Sequence, residues 1–202
     1  EISVTIDAVS EDGTAQDFDG GVTMTDVEGR NSRSGGDLPE IAGTFGAGTI
    51  EAAFSGTDPE TGGTFDMDIS AADVSSDSSG TLTTLYAATD DLSTLIENGF
   101  SVQGTGSSGA IAFSFSAEGM PESFNLSGRV DSTEGSGRID GERLEYDVAY
   151  RGVEFAASGS EIPFPQVAGG LGELHTGLAM PSTATEEAQP MGLTVALRDL
   201  AL

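Results

Sequence analysis

Apolar and polar residues alternate with a period of two through most of this chain, and that period decides what it can fold into. Ile2, Val4 and Ile6 alternate with small or polar residues; so do Val22 and Met24, then Ile50, Ala52 and Phe54, then Phe65, Met67 and Ile69. The pattern continues at Ile111, Phe113 and Phe115, at Phe124 and Leu126, and at Leu144, Tyr146, Val148 and Tyr150. It closes with Leu174, Thr176, Leu178 and Met180, then Met191, Leu193, Val195 and Leu197. Successive side chains of a strand point to opposite faces, so each run describes a strand with one apolar and one wet face. Gly, Asp, Ser and Asn clusters between the runs suit hairpin turns. A strand-to-strand spacing of roughly ten residues predicts an antiparallel meander. The expected fold is all-β: a long curved antiparallel meander sheet, forming an open or partly closed barrel or a sandwich.

One segment departs from the period. In "TLTTLYAATDDLSTLIENGF", Leu85, Leu92, Leu95 and Ile96 fall at helical spacing. Thr89 or Asp90 is a candidate cap and Gly99 a candidate stop, which predicts one short helix near 84–98 lying on or beside the sheet. "EIPFPQVAGGLGE" sets prolines on both sides of Phe164 and reads as an edge or crossover, since proline cannot serve a central strand. "PSTATEEAQP", 181–190, reads as a polar loop joining the last two strands. There is no composition break, so residues 1–202 read as a single domain.

Charge excludes more than it suggests. The chain has 202 residues, 34 Asp and Glu against 7 Lys and Arg, and a formal net charge of −27. All the bases are Arg. Such a charge repels nucleic-acid phosphates and anionic membrane surfaces, so neither is an expected partner. There is no Cys, which removes disulfides, thiol catalysis and thiolate metal sites. No apolar run approaches the roughly 20 residues of a membrane-spanning helix. The chain opens at Glu1 without Met and ends on the apolar pattern "ALRDLAL", which reads as a processed or trimmed start and an end cut from something longer.

The motifs that could carry chemistry each fail on context. Asp66, Asp68 and Ser70, with Asp77 further on, resemble a calcium loop, but Ala71 stands where Gly is required and Asp77 where Glu is required. Phe65, Met67 and Ile69 interleave those acids at strand period, so the stretch reads as a "DPETGG" turn, a strand with Asp66 and Asp68 outward and Met67 and Ile69 inward, and a Ser-rich exit. "GTGSSG", 104–109, matches a dinucleotide fingerprint, but a strand follows it where a helix is needed, so it reads as a hairpin loop. His175 is the only histidine and falls on the face opposite Leu174 and Leu178. There is no nucleophile elbow for it to serve, so it reads as a surface residue, and a hydrolase is the remote alternative. Paired acids such as Asp90 with Asp91 and Glu186 with Glu187 arise by chance in so acidic a chain, and no Trp offers a sugar platform. Asn125-Leu126-Ser127 is a formal glycosylation sequon. No catalytic, cofactor or metal residues are assigned.

What remains is the apolar face. Phe54, Phe65, Met67, Phe113, Phe115, Phe124, Phe155 and Phe164 are its candidate ligand or partner contacts. A long sheet with one short helix has little chain of its own to cover such a face. It must close as a barrel, fold over, pair with another copy, or leave a groove for an acyl chain. A self-covered core is the commoner outcome for an apolar face.

The order of these elements resembles a known family. "GTDPETGGTFDMDISAADVSSDSSGTL", the helix ending "ENGF", "GSSGAIAFSFSAEG", "LEYDVAYRGVEFAASGSEIPFPQV" and "GLAMP…LTVALRDLAL" together resemble an uncharacterised family of exported alphaproteobacterial proteins, domain of unknown function 2125, over roughly residues 50–202. The resemblance implies an exported, periplasmic protein with no established catalytic residues, and a longer parent of which this chain is the N-terminal part. The expected function is non-enzymatic: a cell-envelope protein that binds a hydrophobic small molecule or a partner protein on its apolar sheet face, without a cofactor. The alternative is an acidic structural module with weak divalent-cation binding.

Overall fold

The computed structural model describes residues 1–9, 15–58, 61–83, 92–119, 123–160, 166–182 and 191–201. Its strands are β1 (Ile2–Val9), β2 (Ala15–Thr25), β3 (Glu28–Arg33), β4 (Glu40–Thr57), β5 (Thr64–Thr81), β6 (Ser101–Ser108), β7 (Ile111–Glu118), β8 (Phe124–Val130), β9 (Ser132–Ile139), β10 (Arg143–Gly159), β11 (Val167–Pro181) and β12 (Gly192–Arg198), with one helix, α1 (Leu92–Glu97). All strands pair antiparallel in one curved sheet. An all-β curved meander with one short helix is therefore what this chain forms. The helix occupies 92–97; Leu85 and the candidate caps Thr89 and Asp90 lie outside the described residues.

The strands are much longer than a spacing of ten residues predicts. β4 and β5 each run 18 residues, and β10 runs 17. Three further strands are as long but interrupted. β2 and β3 lie end to end along β4, β7 and β6 along β5, and β8 and β9 along β10. "GTGSSG" is consequently no hairpin loop: Gly104 to Ser108 belong to β6, and Gly104 faces Ser78 and Gly137. The Ser-rich "exit" after Ile69 is the second half of β5.

The interruptions fall on one line across the sheet. Pairing of Thr25 with Thr49 and of Glu28 with Gly46 sets Asp26 opposite Gly48. By the same reasoning Gly48 faces Asp73, Asp73 faces Gly109, Asp131 faces Gly152, Gly152 faces Gly172, and Gly172 faces Asp199. Asp26, Asp73 and Asp199 have φ of 49°, 50° and 55°, and Gly152 has 62°. Asp tolerates this left-handed region better than most residues, and glycine has no Cβ to oppose it. Pairing keeps one register on both sides of the line, so no residue is inserted; the left-handed φ instead kinks the strand at that point. The sequence compensates, because the apolar alternation shifts phase by one residue at this line in each long strand. In β5 it passes from Met67, Ile69 and Ala71 to Val74; in β10 from Tyr146, Val148 and Tyr150 to Val153 and Phe155. Apolar residues thus stay on one face along the full strand length.

That face is not covered. The chain exposes 12942 Å², against roughly 8,900 Å² expected for a folded monomer of this mass. The self-covered core expected of an apolar face is absent among the described residues. Ile69 is 41% and Phe113 is 40% exposed, so the "inward" side of β5 and β7 has no interior to point into. Deep burial among the described residues is limited to small residues such as Ala47 and Ala117, except at one corner, where the large side chains of Pro39, Leu95 and Ile96 are buried beside Thr83. There α1 ends on Gly99, at φ 90°, whose N–H bonds the Ile96 carbonyl while the Phe100 N–H bonds that of Leu95. This pair of bonds satisfies helix-end carbonyls, and the left-handed turn it needs is why glycine stands there. Leu38 packs against Gly99.

Candidate functional site

Register converts the sequence pattern into two surfaces, because residues directly paired across strands share a face. One row reads Val4, Val22, Ala52, Ile69, Phe113, Gly128, Phe155, Gly169. A second reads Phe54, Met67, Phe115, Leu126, Ala157, Val167, and a third contains Phe65, Ala117 and Phe124. Phe54, Phe65, Met67, Phe113, Phe115, Phe124 and Phe155 therefore share one face of one half of the sheet. Phe164 lies outside the described residues. Across the line of left-handed residues the apolar rows continue as Tyr150, Leu174 and Leu197, then Val148 and Val195, then Tyr146, Leu178 and Leu193.

The aromatic rings are organised by glycines. Phe54 lies over Gly20, Phe113 over Gly128 and Phe155 over Gly169, so closely that a Cβ at any of these glycines would collide with the ring. A large ring beside a residue with no side chain restores lost packing within a sheet. Phe18 stacks with Phe54 at 6.2 Å between centroids and approaches Phe65 at 6.1 Å, while Phe115 and Phe124 stand 6.4 Å apart. Phe113 and Phe155 flank Gly128, and with Gly169 and Ala201 they border an apolar groove of about 680 Å³. Another trough, of about 730 Å³, opens at the far end of the sheet among Ser32, Glu40, Gln103, Arg138 and Asp140, and is more polar.

Sequence reading missed Phe18 and the glycine partners. Phe18 sits four residues before Val22, the first apolar position of β2 that alternation makes conspicuous, and "DGG" beside it imitates a turn. The pairing of a ring with a glycine needs cross-strand register, which no single-strand pattern contains.

The opposite face holds the charge. Within β4 to β11 every Asp and Glu but Asp73, which lies on the line of interruption, falls in the rows of this face; of the paired charged residues in the strands, Arg33, opposite Ile41 at the end of β3, lies on the apolar side. Arg151 links Glu134 to Glu173, which Arg198 also reaches at 3.4 Å, forming an ion ladder from β9 to β12. The Glu134 carboxyl is held below the usual range by the Arg151 hydrogen bond and charge. Asp140 is held down too, first by the backbone N–H groups of Glu142 and Arg143 and then by Arg138. His175 Nε2 lies 2.8 Å from Asp147 Oδ2 on this open face. In a catalytic triad the carboxylate bonds Nδ1 and leaves Nε2 for the nucleophile, whereas here the carboxylate sits on Nε2, on an open surface rather than in a cleft. Asp66 and Asp68 face Ser116 and Ser114, with Ser114 donating to Asp68. Among the described residues no group of three or more His, Asp or Glu converges to hold a metal ion. None of the described helices is long and apolar enough to cross a membrane.

No family model, curated protein or solved structure matches this chain.

Proposed function

We propose that this is a non-enzymatic, exported cell-envelope protein whose apolar sheet face is a docking surface for a hydrophobic partner. The observation that carries the reading is the uncovered face: the exposed area exceeds that of a folded monomer by roughly 4,000 Å². A single acyl chain covers far less than that. Even a part of the excess, matched by an equal area on a partner, reaches the 2,000–5,000 Å² of total buried surface typical of obligate protein interfaces. The charge distribution supports the same partner class, since a face almost free of ions adds little desolvation cost to its burial. Export to the periplasm rests on the family resemblance over residues 50–202. Native mass spectrometry of protein taken from its own cells tests the reading. A complex heavier than the protein's own denatured mass, lost on Phe113→Asp with Phe155→Asp, is expected. A bare chain that also leaves the dye ANS dark would overturn it.

The groove beside Phe113 and Phe155 favours a second reading, a small hydrophobic ligand. Its volume, about 680 Å³, falls within the usual range for ligand sites. Organic extraction of the natively purified protein would release such a ligand, and mass spectrometry would identify it. The acidic-module alternative draws on the one-sided carboxylates, and calorimetry with calcium tests it.

A further inference from the structure

We propose that two copies of this chain pair edge to edge through β12, antiparallel, about a twofold axis normal to the sheet at Val195. The inference concerns the edge of the sheet and does not depend on what covers its apolar face.

Three observations lead to it. First, β12 ends the pairing path: it bonds β11 on one side, and among the described residues no strand lies on the other. Its outer N–H and C=O groups form a template for another strand. Second, its apolar side chains are among the most exposed in the molecule, with Met191, Leu193, Val195 and Leu197 between 58% and 68%. They terminate the rows that run through Tyr146, Val148 and Tyr150, so a further strand would prolong those rows.

Third, charge and topology select the partner. The chain carries a net charge of −27, yet Met191 to Arg198 contains no carboxylate and one arginine. Pairing β12 with itself about Val195 sets Leu193 against Leu197, Thr194 against Ala196, and Arg198 against Gly192. No like charges meet. The opposite edge behaves differently: β1 paired with itself about Val4 sets Glu1 against Asp7, and directly opposed like charges are destabilising.

Pairing β12 with β1 of another copy is also disfavoured. The meander places β1 and β12 in parallel orientation, because eight antiparallel steps separate them. A copy brought alongside by translation therefore offers a parallel pair. An antiparallel pair of those two edges turns the second copy's apolar face to the other side. The β12 twofold keeps both apolar faces on one side, and being isologous it closes as a dimer rather than a filament.

Val195→Cys tests the geometry, because the chain has no cysteine and residue 195 lies opposite its own copy. Mild oxidation should convert that variant to a disulfide-linked dimer, while Val4→Cys, on the other edge, should stay monomeric. Sedimentation of the wild-type chain should show a dimer that strengthens as salt rises, because screening weakens repulsion between two acidic bodies. Cross-linking of Val195→Cys no greater than that of Val4→Cys, or a wild-type chain monomeric at high concentration and high salt, would overturn the proposal. Either failure would leave the Phe113 and Phe155 readout of the face untouched.

Discussion

The α1 corner and the Phe113–Phe155 patch contain side chains of similar chemistry in opposite circumstances. At the corner, Leu95 and Ile96 are 5% and 4% exposed, packed in a small enclosure with Pro39. On the patch, Phe113 and Phe155 keep more than a third of their surface in contact with water. The corner resembles the interior of an ordinary protein on a small scale. The patch resembles an interface before its partner arrives. Stability and recognition are therefore separable here, and substitutions should sort by region rather than by residue size.

The corner should show the largest losses. Ile96→Ala removes buried methylenes and leaves a cavity that the short helix cannot collapse around, a change worth about 2–4 kcal/mol. Urea unfolding should move accordingly, with ANS binding by the folded state unchanged. A loss well below that would mean the corner is no core, and the contrast between the regions would fail.

Next comes the line of left-handed residues. Gly152 has φ of 62°, and a Cβ there would strike the Asp131 carboxylate. Gly152→Val sets a branched side chain in a left-handed conformation and should cost about 1–3 kcal/mol. Asp73→Gly at the equivalent place in β5 should be tolerated, since glycine takes φ 50° at least as readily as aspartate. Thermal melts of the two variants diverging in this way would establish the line as a built bend. Equal losses would instead indicate that the Asp side chain itself is what the line requires.

That line also explains how far the sequence could be read. The alternation through Phe65, Met67 and Ile69 identifies a strand and assigns its faces, because a period of two has one structural meaning. Strand length is hidden, because the same residues that end strands are here used to bend them. Asp73 and Gly109 look like turn chemistry, and the one-residue phase shift from Ala71 to Val74 looks like a new element. Only pairing with Gly48 on one side and Gly109 on the other shows that β5 continues. Coverage of the apolar face is hidden for a different reason: periodicity tells which side chains point together, not what stands opposite them. Phe113 and Ile96 are equally apolar in the sequence, and nothing local distinguishes the exposed one from the buried one.

On the patch, the effect on stability should be smaller and the effect on binding larger. Phe155 is partly buried against Gly169, so Phe155→Ala should cost about 1–2 kcal/mol, a fraction of full burial. ANS fluorescence should fall by far more than stability does. If stability fell as far as at Ile96 while dye binding held, the ring would be a core residue and the patch no docking surface.

The smallest effect expected lies on neither region but at the β9–β10 turn, and it is a pH effect. Asp140 Oδ1 accepts N–H bonds from Glu142 at 2.9 Å and Arg143 at 3.0 Å, and its carboxyl also meets Arg138. These contacts favour the ionised form and hold its pKa below the unfolded value. A group depressed in this way contributes stability that is present above the unfolded carboxylate pKa and is lost as pH falls through the folded one. Asp140→Asn keeps an oxygen to accept the turn N–H groups but cannot titrate. Its melting temperature should therefore match the wild type less closely at neutral pH than at strongly acidic pH, where the wild-type carboxyl is protonated. A constant difference across that range would show that the folded-state pKa of Asp140 is not depressed, and that neither the turn N–H groups nor Arg138 favour its ionised form.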